Sequence, residues 1–146
     1  MGRNSVGGAG GSTPAKDSGI DKNRVLIIAA SPINRIVISR SIERLYLKAT
    51  AVGPEGALEA LTTVRPMMVI VDEGRQSDRL EALYQDLALR RQNTGERLPR
   101  VILIVEPSCQ KEAASYGGVV DAVLAKPITL EAIHPVVERL AKDSGH

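Results

Sequence analysis

The side chains able to do chemistry in this sequence stand at the ends of apolar runs. Asp72 and Glu73 follow Met67-Met68-Val69-Ile70-Val71, Glu106 follows Val101-Ile102-Leu103-Ile104-Val105, and Lys126-Pro127 follows Ala122-Val123-Leu124-Ala125. If those runs are neighbouring strands, an acid and a lysine at their ends meet across one mouth. The other reactive groups are isolated. Cys109 is the only cysteine, which excludes an internal disulfide and a cysteine metal cage. It reads as a capping or packing residue. His134 has no second histidine in the domain, since His146 belongs to the tail, and reads as a surface or packing residue. Arg90 and Arg91, with Arg97 and Arg100 nearby, could receive a phosphate-bearing ligand such as a cyclic dinucleotide. No aromatic or glycine-rich cradle accompanies them, so a solvated helix end is the simpler reading.

The elements that must position these groups follow from periodicity. Five short apolar runs recur: Val25 to Ile28, Ala49 to Val52, Met67 to Val71, Val101 to Val105 and Val119 to Leu124. Three are continuous aliphatic stretches without polar alternation, the pattern of strands covered on both faces in a parallel sheet. Ala49 to Val52 is weaker and suits an edge. Between the runs lie segments with helical spacing. Ser31 is an N-cap with Pro32 at the first helical position, followed by Ile38, Ile42 and Leu45 on one face. Pro54 opens a helix presenting Ala57, Leu61 and Val64, and Leu80, Leu83 and Leu87 stripe a third. A short fourth helix is expected around Gln110 to Tyr116. The fifth, after Thr129, turns Leu130, Ile133, Val137 and Leu140 inward, with Pro135 expected to kink it or delay its start. Five βα units in a row predict an α/β three-layer sandwich with helices on both faces. Strand order 2-1-3-4-5 and a nucleotide-binding order both fit. No Gly-x-Gly-x-x-Gly follows the first strand and no Gly-x-x-x-x-Gly-Lys occurs, so the nucleotide reading loses its main support.

With 146 residues, 43% hydrophobic and 25% charged, the chain has the balance of one globular domain. Aromatic residues are 2% and net charge is +2, which argues against stacking on single-stranded nucleic acid and against a polyanion partner. No apolar run approaches the ~20 residues of a membrane span, and no signal-peptide pattern opens the sequence, so a cytoplasmic domain without membrane insertion is expected. Residues 1–22, which include Gly7-Gly8-Ala9-Gly10-Gly11-Ser12, read as a flexible linker, 23–142 as the folded domain and 143–146 as a tail.

Three segments carry a family resemblance. Val25-Leu26-Ile27-Ile28-Ala29-Ala30-Ser31-Pro32-Ile33-Asn34-Arg35 resembles the first strand and helix of bacterial response-regulator receiver domains, with the flavour of receivers in hybrid histidine kinases. Arg65-Pro66-Met67-Met68-Val69-Ile70-Val71-Asp72 is similar to the third strand, which in the family ends in the phosphorylated aspartate. Ala122-Val123-Leu124-Ala125-Lys126-Pro127-Ile128 is similar to the fifth strand with its lysine and proline. The match spans Arg24 to Leu140 and implies a flavodoxin-like sheet of order 2-1-3-4-5. It puts Asp72 at the phosphoacceptor position and Lys126 at the phosphate-pairing position.

The resemblance also shows what is missing. Phosphoryl transfer to a carboxylate brings negative oxygens to a negative nucleophile, and a divalent ion normally offsets that repulsion. In the family an acidic pair at the end of strand one holds Mg²⁺; here Ala29 and Ala30 stand there. The switch hydroxyl of strand four falls on Ile104 or Val105, and the aromatic switch of strand five on Val123. The loop Glu73 to Asp78 lacks the usual Met-Pro pair. The expectation is a degenerate receiver, or pseudo-receiver, that is not an enzyme. Its Mg²⁺ binding should be lost or very weak, although Glu73 or Glu106 could substitute as a ligand, and a direct Asp72–Lys126 ion pair is expected. Its partner would be a histidine kinase, a phosphotransfer domain or another receiver. Pro32, Ile33 and Arg35 are docking candidates, and homodimerisation could use the fourth helix, fifth strand and fifth helix. The alternatives are an atypical receiver still phosphorylated on Asp72, and a binding module for a nucleotide second messenger.

Overall fold

The computed structural model describes residues 19–72, 77–95, 98–110 and 118–143. Its strands are β1 (Asp21–Ala29), β2 (Lys48–Val52), β3 (Pro66–Asp72), β4 (Arg100–Val105) and β5 (Ala122–Ala125). Its helices are α1 (Pro32–Glu43), α2 (Ala57–Val64), α3 (Ser77–Thr94) and α4 (Leu130–Asp143). The five strands form one sheet of order β2-β1-β3-β4-β5, and every pair is parallel. β1 begins at Asp21, two residues before the expected domain start, because the Asp21 amide donates to the Arg65 carbonyl at 2.8 Å and the strand pairs with Pro66. Of the fourth helix expected around Gln110 to Tyr116, residues 111–116 lie outside the described residues, as do residues 1–18, Glu73, Arg97 and residues 144–146.

Uninterrupted apolar runs became the inner strands because each of their faces is covered. Val25, Ile27, Met68, Ile70, Ile102 and Ile104 pack into one layer with Ile38, Ile42, Ile133, Val137 and Leu140 of α1 and α4. Their alternates, Leu26, Ile28, Val69, Val71, Val101, Leu103 and Val105, pack into the other with Leu61, Leu83 and Leu87 of α2 and α3. All seven residues of β3 are buried, whereas no residue of β2 is, which makes β2 the edge. At roughly 2 kcal/mol for each fully buried aliphatic side chain, these two layers supply the main drive to fold.

Local signals set the helix ends. Ser31 Oγ accepts from the Asn34 amide at 3.3 Å, and Pro32 occupies the first turn of α1. Pro54 opens a 3-10 turn, and the α-helix proper starts only at Ala57. α4 starts at Leu130 with Pro135 inside it, so the proline does not delay the helix.

The fifth apolar run is shorter as a strand than expected. Only Ala122–Ala125 pair with β4, and Asp121 becomes an anchor just before them. Its carboxylate takes a bidentate grip from Arg91 at 2.9 and 3.0 Å, accepts from the Val101 amide at 2.8 Å, and lies 3.8 Å from Arg100. Arg91 also donates to the Val119 carbonyl and is itself buried. This corrects the reading of Arg91 as part of a ligand patch or a solvated helix end. Arg91 joins α3 to the entry of β5. Arg90 pairs with Asp86 at 3.0 Å and reaches Thr62 Oγ1 at 2.9 Å, joining α3 to α2.

Removing one member of a buried, hydrogen-bonded ion pair leaves an uncompensated charge, a loss of about 3 kcal/mol or more. Arg91→Leu is expected to lower the unfolding free energy by about 3 kcal/mol in urea titration, against under about 1 kcal/mol for Arg90→Leu, whose pair is partly solvated.

Candidate functional site at the mouth of the sheet

Strand order reverses between β1 and β3, and in open α/β sheets the crevice beyond that switch point is where ligands bind. Ala29 and Asp72 are register partners there, and Asp72 pairs on its other side with Ile104. Asp72 is 4% exposed, so its carboxylate must be compensated by protein groups. The Asn34 side-chain amide donates to Oδ2 at 2.7 Å, and Lys126 Nζ lies 3.0 Å from Oδ1. The Asn34 orientation is fixed by its partner, since a carboxylate only accepts. Oδ1 has no aligned hydrogen bond among the described residues, so its contact with Lys126 is an ion pair at short range rather than a directed bond. Lys126 also lies 3.5 Å from Glu106, which is 57% exposed, and this outer pair contributes little.

The first turn of α1 supplies a second cation. Arg35 folds back so that Nη1 donates to the Ala29 carbonyl at 2.6 Å and the Ala30 carbonyl at 3.3 Å. Arg35, the third docking candidate, is half-buried with its guanidinium against the end of β1. Pro32 and Ile33 do face solvent, Ile33 at 71%, and Ile36, one turn along, is also exposed. Sequence reasoning missed Asn34 and Ile36 as site and surface residues. Asn34 was legible only as part of a segment match, since nothing in its local spacing points 38 residues ahead to Asp72.

The remaining positions are apolar. Ile104 shares its layer with Ile70 and stands opposite Asp72, whereas Val105 packs into the layer of α2 and α3, so Val105 is not the neighbour of the carboxylate. Val123 packs at the margin of that second layer too. No hydroxyl is present at any of the three.

Mg²⁺ would need several oxygen donors in near-octahedral array. Ala29 and Ala30 offer no side-chain oxygen, their carbonyls are engaged by Arg35, and both Asp72 oxygens face Asn34 or Lys126. Glu106, the described candidate for a substitute ligand, faces the Lys126 ammonium. Among the described residues the donor set does not fit the ion, and two cationic groups already stand where its charge would act.

Solved structures give the architecture its place. NtrX from Brucella abortus superposes with a TM-score of 0.69 at 20% identity over 83% of this chain, which spans only 28% of that larger chain. The chemotaxis response regulator CheY4 of Vibrio cholerae gives 0.64 at 16% identity, covering 80% of this chain and 97% of that one. A response regulator protein from Burkholderia multivorans gives 0.61 at 20% identity, covering 82% and 94%. The fold is the receiver fold. No family model matches the sequence, and no curated protein matches it closely enough to count as a relative. Within that receiver fold no described helix is long and apolar enough to cross a membrane.

The two members of the mouth ion pair differ in what their loss leaves behind. Lys126→Met strands a buried carboxylate and is expected to cost about 2 kcal/mol, whereas Asp72→Asn keeps the Asn34 contact and leaves a solvent-reachable ammonium beside Glu106, costing about 1 kcal/mol or less. Urea unfolding of both variants at neutral pH measures the order.

Proposed function

We propose that the chain is a receiver-like interaction module of two-component signalling. It acts by binding a partner, without Mg²⁺-dependent phosphorylation of Asp72 and without catalytic turnover of its own. The observation that carries this reading is the occupied carboxylate. Asp72 already faces an ammonium at 3.0 Å and an amide at 2.7 Å, and a guanidinium covers the β1 carbonyls where an ion would have to coordinate. An incoming phosphoryl donor would have to break these contacts and would meet no divalent ion to screen its charge.

The partner surface that suits this role is the outer face at the start of α1. Pro32, Ile33 and Ile36 stand out of the water-facing helix as unpartnered apolar groups, the kind of anchor a helix of a histidine kinase, a phosphotransfer domain or another receiver would cover. The reading as a nucleotide second-messenger module loses the cluster that motivated it, because Arg90 and Arg91 are committed to Asp86, Thr62 and Asp121.

Beryllofluoride with Mg²⁺, a mimic of a bound phosphoryl group, separates this reading from a phosphorylated one. Amide resonances of Ala29, Asp72 and Lys126 are expected to stay unmoved in ¹H–¹⁵N spectra of the full chain. Large saturable shifts there would establish Asp72 as a working acceptor instead.

A further inference from the structure

The opposite end of the sheet holds a cavity of about 280 Å³ between α2, α3 and the entries of β3 and β4. Its apolar lining comes from Ile20, Leu61, Pro66, Leu98 and Pro99, and its polar lining from Thr62, Arg65, Arg90 and Asn93. Among the described residues the lining thus includes two guanidinium groups and no carboxylate. Their situations differ. Arg90 is held in place by Asp86, Thr62 Oγ1 and the Leu61 carbonyl, so it is fixed and largely neutralised. The Arg65 guanidinium has no acid partner among the described residues. Arg65 caps the C-terminus of α2 in the left-handed region (φ +51°). Gly19 makes room for it, because a Cβ at that position would meet Nη1 of Arg65. A side chain at residue 19 would push the guanidinium aside.

We infer that this cavity binds a small amphipathic anion, a compact ring or short alkyl group ending in one carboxylate or phosphate. The apolar body would rest on Leu61, Pro66, Leu98 and Pro99, and the anionic end would meet Arg65, with Asn93 as a further donor. The volume sits at the lower edge of the roughly 300–1,000 Å³ of small-molecule sites, room for one ring and not for a dinucleotide. This site stands apart from the mouth of the sheet, and it stands whatever becomes of Asp72.

Titration of the full ¹⁵N-labelled chain with phenyl phosphate tests the assignment, with inorganic phosphate and benzyl alcohol as controls for charge alone and ring alone. Saturable shifts are expected at the amides of Leu61, Thr62, Arg65, Asn93 and Leu98, with an affinity about tenfold or more above either control. Arg65→Gln should weaken phenyl phosphate about tenfold without lowering the thermal midpoint, and Arg65→Lys should retain most of the binding. Three results each overturn the proposal: no saturable shift at concentrations on the order of 10 mM, equal binding of a control, or an unchanged affinity in Arg65→Gln.

Discussion

A carboxylate that is 4% exposed at the end of a central strand has to be neutralised by something. Here the neutralising groups belong to the chain itself. Lys126 arrives from the end of β5, two strands away across Ile104, and Asn34 from the first turn of α1. For both to reach one aspartate, β3, β4 and β5 must hold their register and α1 must start where it does. That start is set by the Ser31 cap and Pro32, which place Asn34 one turn in and Arg35 beside the β1 carbonyls. The mouth is therefore a consequence of the strand ends and one helix cap, and its chemistry is that of a closed ion pair.

The other end of the sheet solves a similar problem by different means. Asp121 precedes an otherwise apolar strand and is tolerated because Arg91 and the Val101 amide satisfy both of its oxygens. This cross-link fixes α3 against β4 and β5, while Arg90 fixes α3 against α2. With both helices held, the space between them persists as a cavity instead of collapsing onto the sheet.

The architecture was legible in the sequence because sheet burial writes itself locally. A strand covered on both faces has no room for polar alternation, so Met67 to Val71 and Val101 to Val105 announce an inner parallel sheet, and Ala49 to Val52 an edge. Ser31-Pro32 likewise announces a helix start. The partnerships were not legible. Arg91 and Asp121 are 30 residues apart, Asn34 and Asp72 are 38 apart, and neither pair shares a local period. Val119-Val120-Asp121 read as strand because two β-branched residues outweigh one acid in a short window, whereas the acid's buried partner decided where β5 begins. The contact of Arg35 with the Ala29 and Ala30 carbonyls was likewise not legible, because an arginine on the first turn of a helix carries no local signal for the strand end it folds back on.

We propose that Lys126 beside Asp72 and Arg35 on the β1 carbonyls keep a divalent cation away from this carboxylate. Line broadening by Mn²⁺, a paramagnetic stand-in for Mg²⁺, measures this directly in the native chain and in Ala29→Asp/Ala30→Asp/Arg35→Ala, which restores two carboxylates and removes the competing guanidinium. The native chain should show no localised broadening around Ala29, Asp72 and Lys126 at ion concentrations on the order of 1 mM, and the triple variant should show it saturably at those same residues. Localised, saturable broadening at Asp72 in the native chain would contradict the account.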